Sequence, residues 1–284
     1  MKEILEIYYD INLEVDQIDD DKFFFVYRNK GYVIIKLKNY EYLNNDILNS
    51  IYYQLNIPIL NKYNEYVTIH KDNSYLLFYN YDGILFQDNI LYFLNQPYKN
   101  VNIDLKTKWC EKIDFHEYQM LEFSLKYPLL NESINYVNGL AEIGIQLLNK
   151  INLNYCYTCY GHKRITSSLF DFYNPINIVE DYRIRDISEY IKYNFFHQKY
   201  SYMDFLNLIS KINLNNEEFK LLFVRLLFIT PYYDMFEDII LGLKDEINIK
   251  KIVHNFDNYE QLLVKIYNYI LLYTNIDKIE FFIR

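Results

Sequence analysis

Residues 22–37 read Lys22-Phe23-Phe24-Phe25-Val26-Tyr27-Arg28-Asn29-Lys30-Gly31-Tyr32-Val33-Ile34-Ile35-Lys36-Leu37. Two β-prone runs, Phe23–Tyr27 and Tyr32–Ile35, flank Asn29-Lys30-Gly31, whose turn chemistry predicts a β-hairpin. Working outward, Leu43, Ile47, Leu48 and Ile51 recur at spacings of three and four, which predicts a helix. Tyr66–Ile69 and Tyr75–Tyr79 predict a second hairpin, turning at Lys71-Asp72-Asn73. Asp82-Gly83 then breaks the pattern.

Beyond Gly83 the strand signals almost vanish. Trp109–Tyr127 reads as helix. Further apolar faces at helical spacing are Val137, Leu140, Ile143, Gly144, Leu147 and Leu148; Phe219, Leu222, Phe223, Leu226 and Leu227; and Leu262, Ile266, Ile270 and Leu271. The expected architecture is α+β and bilobal: a small sheet with one helix over 1–83, then a mostly helical body over 84–284. No internal repeat or low-complexity linker is visible.

Composition narrows the function. At 51% hydrophobic and 24% charged, the 284-residue chain belongs with folded globular proteins and can bury a sizeable core. Its 33 Tyr and 20 Phe accompany abundant Asn, Ile and Lys, a bias an AT-rich coding sequence explains, so the aromatics are not read as a nucleic-acid signal. A net charge of −9 without a long basic run argues against nucleic acid and anionic membranes as partners. Met1–Asp10 carries acids where a secretory signal carries bases. The closest approach to a membrane span, Leu221–Ile229, is broken by Arg225. A cytoplasmic protein with three reduced cysteines is expected.

The element order resembles the protein-kinase-like phosphotransferases of the aminoglycoside and choline kinase type, and four segments sharpen it. Tyr136-Val137-Asn138-Gly139-Leu140-Ala141-Glu142-Ile143-Gly144-Ile145-Gln146 is similar to the "YxxGLAENAIQ" helix of the YutH-like spore-coat-associated proteins, within the wider CotS group. Cys159-Tyr160-Gly161-His162-Lys163-Arg164-Ile165 resembles their "CHxRF" segment, with two extra residues after the cysteine. Glu180–Ile191 resembles "YDHxxRDLAEWIR", and Arg225–Tyr233 resembles "RLLFPLHYF" with small shifts. The matches run in order across roughly residues 22–237.

Phosphoryl transfer is mostly positioning and charge neutralisation. In active relatives, the resemblance implies, a His-Gly-Asp triplet supplies the catalytic carboxylate, and an Asn five residues after that Asp binds metal. Here the triplet reads His162-Lys163-Arg164, and the Asn position falls on Leu169. A guanidinium cannot accept a proton at neutral pH or bind magnesium, and leucine offers no ligand atom. Asp171, seven residues beyond Arg164, is a conceivable replacement. Asp181 matches the second metal-binding aspartate by its place before Arg185-Asp186; it reads equally as a solvated turn residue. Asp186, with Glu189 three residues on, has the spacing of a capping box; in the resembled fold the equivalent Asp also braces the catalytic loop. Lys36 ends a strand as the phosphate-contacting Lys does in kinases, yet Leu43–Leu55 contains no Glu to pair with it, and an exposed strand-end Lys is an equal reading. The Asn29-Lys30-Gly31 turn is too poor in glycine to cradle phosphates.

Cys156-Tyr157-Thr158-Cys159 followed by His162 invites a zinc reading, but a structural site needs four ligands. Cys110 and His116 are irregularly spaced partners, so buried free thiols are expected. His70, His197 and His254 show no partners in the sequence. The expectation is a kinase-like protein without catalytic or metal-binding residues and without a cofactor. It would act by binding other proteins, and the resemblance implies spore coat proteins and deposition on the coat. The alternative is a small-molecule or protein phosphotransferase with a rearranged site, using ATP and magnesium.

Overall fold

A computed structural model describes residues 1–18, 20–37, 58–94 and 103–283. The chain groups into two compact units, residues 1–86 with 166–179, and residues 87–165 with 180–284.

The first unit is built on the predicted hairpins. Strands β1 (Asp16–Gln17), β2 (Lys22–Tyr27), β3 (Lys30–Leu37), β4 (Val67–His70) and β5 (Asn73–Tyr79) form one antiparallel sheet in the order β1-β2-β3-β5-β4. Both turns are tighter than predicted. The central pairs are Arg28-Asn29 and Lys71-Asp72, all four with positive φ, as the two-residue hairpin turn that matches strand twist requires. Gly31 and Asn73 are therefore strand residues, pairing with Val26 and His70. The central strands β3 and β5 bury consecutive residues, Tyr32–Ile35 and Tyr75–Phe78, because both faces of the sheet are covered. Helix α1 (Lys2–Tyr9) packs Ile4 and Leu5 against Phe25, Ile34 and Leu77, and Tyr9 Oη bonds Thr68 Oγ1 at 2.9 Å. Residues 166–179 return to this unit: Leu85 N donates to Ser167 O and Leu169 N to Gly83 O. Gly83 has φ +138°, a conformation that side chains resist. The helix predicted from Leu43 to Ile51 lies outside the described residues.

The second unit is helical: α2 (Gln87–Leu94), α3 (Leu105–Phe123), α4 (Pro128–Leu148), then, after the short α5 (Leu169–Phe172) of the first unit, α6 (Ile184–His197), α7 (Tyr202–Ile209), α8 (Asn216–Leu227), α9 (Thr230–Ile240), α10 (Lys250–Val253) and α11 (Phe256–Tyr273). Helix α8 is central to it. Leu221 to Leu227 are all buried, so this stretch of the helix is apolar on every side but for Arg225. Helix α4 approaches it closely at Gly144, where an added Cβ would lie 3.3 Å from Val224 O. Helices α7 and α8 start with capping boxes, Ser201/Asp204 and Asn215/Glu218. Two short strands escaped prediction, β6 (Thr158–His162) and β7 (Ile178–Tyr182), which pair with each other. Every residue of β6 is buried, so no alternation marks it. No described helix is long and apolar enough to cross a membrane.

Candidate functional site

His162 ends β6 and is fully buried. Its backbone N–H donates to Asp186 Oδ1 and its ring Nδ1 meets Asp186 Oδ2, both at 2.7 Å. The close approach depends on Gly161, since a Cβ there would lie 2.8 Å from Asp186 Oδ1. Asp186 is the third residue of α6, after Ile184 and Arg185, and makes no cap. The capping-box expectation is thus corrected: the N-cap is Arg183, three residues earlier, and the carboxylate braces the chain at His162. Its expected partner Glu189 instead pairs with Lys192 at 2.8 Å and accepts from Thr230 Oγ1 at 2.7 Å.

Arg164, which the resemblance sets at the position of a catalytic aspartate, is forked onto Asp234 of α9 through Nε and Nη2. Asp181, expected as a metal ligand or a solvated turn residue, is neither solvated nor unpaired. It is buried in β7; Oδ1 accepts from Tyr182 N and Arg225 Nη2, and Oδ2 from Arg185 Nη1. Arg185 continues the network, donating to His162 O at 2.7 Å and Lys163 O at 2.9 Å. His162, Arg164, Asp181 and Asp186 therefore share one region of the helical unit. Lys36 and Asp171 belong to the first unit. Asp171 accepts from Thr166 Oγ1 at 2.8 Å, and its carbonyl accepts from Asn177. Lys36 pairs in register with Tyr75, and its ammonium has no ion pair among the described residues.

These surroundings do not fit magnesium. A divalent cation at Asp181 would have to displace Arg225 from a buried pair, against two guanidinium charges, and Leu169 adds no ligand. The sequence showed one sign of this arrangement, the lone Arg225 inside an apolar run. Its partner, 44 residues away, has no local signature. The same holds for Asp234, 70 residues from Arg164.

Electrostatics follow the pairing. Burial would raise the Glu189 carboxyl, but Lys192, Arg164 and Arg185 outweigh it and hold it down at about 2. Burial pulls Lys192 down to about 8 against the attraction of Glu189, with Arg164 and Arg225 adding to the depression. Burial pushes Cys156 up to about 12 and Cys159 higher still, so both are thiols rather than thiolates. His116 is buried with Nδ1 on Lys112 O and Nε2 3.3 Å from Glu237. His70 lies 3.6 Å from Glu3, and the His197 ring lies 4.8 Å from that of Tyr193, so neither is without a neighbour.

A small antiparallel-sheet lobe and a mostly helical lobe together make the protein-kinase-like phosphotransferase fold. Solved structures agree. An aminoglycoside phosphotransferase from Alicyclobacillus acidocaldarius superposes with a TM-score of 0.66 at 10% identity, covering 92% of this chain and 93% of that one. Spectinomycin phosphotransferase in its AMP-bound complex gives 0.62 at 14% identity, covering 94% and 96%. No curated protein matches the sequence significantly. The chain belongs to the family described as "Spore coat putative kinase YutH", which it matches over residues 104–266.

Proposed function

We propose that this chain is a non-catalytic member of its family that works by binding, as a structural or interaction protein associated with the spore coat. The observation that carries the reading is the state of Asp181. The one carboxylate left in a metal-ligand position is held by Arg185 and Arg225. Arg164 supports it, since a guanidinium clamped by Asp234 stands where a proton acceptor is needed. Coat association rests on family membership, and the partners are then other proteins of the coat. Exposed Tyr118, Leu121 and Leu125 on and just beyond α3 offer apolar contact area of the kind interfaces use.

The test is turnover. Purified chain incubated with ATP and magnesium should release no phosphate above the protein-free rate. A thermal-shift titration with ATP and magnesium separates loss of chemistry from loss of binding. Magnesium-dependent turnover would replace this reading with a phosphotransferase whose site is rearranged around Asp171 or Asp181.

A further inference from the structure

Within the helical unit lies a cavity of about 190 Å³. Six cations line it, Lys108, Lys112, Arg164, Arg185, Lys192 and Arg225, against one lining carboxylate, Glu189. Three further carboxylates pair with these cations from outside the lining, Asp181, Asp234 and Glu237. Six positive charges therefore face these four negative ones, with Asp104 acting on Lys108 as a fifth, in a chain whose net charge is −9. Such a local inversion focuses a positive field that draws anions.

Two donors remain uncommitted among the described residues. Arg225 is 3% exposed and lines the cavity, yet its Nε has no hydrogen-bond partner. A buried guanidinium N–H left unsatisfied costs about 1–3 kcal/mol unless a ligand or water takes it. Lys108 is exposed at the mouth and makes no ion pair. The first residue of α9, Thr230, is in the wall, so the positive end of that helix adds to the field. One wall is apolar, where Trp109 stacks on Phe228 at 4.8 Å. The volume lies below the roughly 300 Å³ at which drug-sized ligand pockets begin, which suits one small group.

We propose that this cavity is a binding site for a phosphate group, either free phosphate or a small phosphomonoester. The surplus of positive charge suits a phosphate anion, and the unpartnered Nε of Arg225 together with Lys108 supplies charge-assisted donors. The stacked Trp109–Phe228 wall would take the organic part of an ester. This inference deepens the non-catalytic reading and rests on it at one point: Arg164 serves as a fixed cation of an anion pocket rather than as a failed base.

Isothermal titration calorimetry of the full chain tests it, with inorganic phosphate and phenyl phosphate as separate probes at matched ionic strength. Saturable one-to-one binding is expected. Tighter binding of phenyl phosphate assigns the site to a phosphomonoester; equal or tighter binding of inorganic phosphate assigns it to the free ion. Lys108→Glu, at an exposed position that should fold normally, is expected to weaken binding roughly tenfold through reversal of one charge near the anion. Absence of saturable binding to both probes, or a Lys108→Glu variant that binds as tightly as the parent, overturns the proposal. ATP turnover in the separate assay would overturn the non-catalytic reading and leave the phosphate site standing. No turnover together with no phosphate binding would overturn only the phosphate site.

Discussion

Replacing Asp181 by alanine would leave the Arg225 guanidinium buried without its counter-charge. Side-chain exposure is 4% at both Asp181 and Arg225, and Arg225 Nε already lacks a partner. Breaking a buried pair from one side costs about 3–5 kcal/mol, because the surviving charge is uncompensated. Arg185, with 17% of its side chain exposed, can turn toward water and should add little. For a unit of this size, each kcal/mol lowers the melting temperature by about 2–4 °C, so a fall of roughly 10 °C is expected. The assay is urea unfolding followed by the fluorescence of Trp109, the one tryptophan in the chain, which lies in the same unit with Arg225 over its ring. Asp181→Ala combined with Arg225→Met should recover most of the loss, since apolar replacement of a buried pair is often neutral or better. An Asp181→Ala variant within about 0.5 kcal/mol of the parent, the range of an ordinary surface substitution, would refute the pairing and return Asp181 to the role of a metal ligand.

Other perturbations read the same region. Gly161→Ala should displace Asp186 and cost about 1–3 kcal/mol as an overpacked site, and Asp186→Ala about as much by orphaning the buried His162 donors; urea midpoints check both. Acid should act through Glu189: its folded pKa, at about 2, lies below the unfolded value near 4.5, so its contribution is present above 4.5 and lost as pH falls toward 2. The urea midpoint should decline across that window, and Glu189→Gln with Lys192→Met should flatten the decline. Of the three cysteines, half-buried Cys110 should react first with a thiol reagent, and Cys156 and Cys159 only on unfolding; rapid labelling of all three in the native protein contradicts their burial.

What the sequence revealed and what it hid divide by range. Strands β2 to β5 and helices α3, α4, α8 and α11 were legible because each carries its own periodicity. The hairpin turns were misplaced by a residue or two because Gly31 and Asn73, both common turn residues, sit two positions and one position past the positive-φ pairs that make the bends. The start of α6 was misjudged for a related reason. Asp186 has an N-cap's chemistry, but His162, 24 residues back, claims its oxygens first. At the candidate site the sequence offered Arg164 and Leu169 at positions where the resemblance implies Asp and Asn. The pairings of these residues and of Asp181 were not legible, since Asp234 and Arg225 reach Arg164 and Asp181 only through the packing of the helical unit, in which α8 and α9 lie far along the chain from both. A buried charge inside an apolar helix, as Arg225 is in α8, was the one long-range clue, because a guanidinium in that setting must have a partner.

The account stands most directly on one comparison: phosphate release from ATP and magnesium by the parent chain and by Asp181→Asn, a near-isosteric change that keeps the shape of the site. Both proteins should match the protein-free rate. Turnover by the parent would contradict the account, and its loss in an Asp181→Asn protein that still melts as a folded unit would mean that Asp181 leaves its arginines to hold a metal.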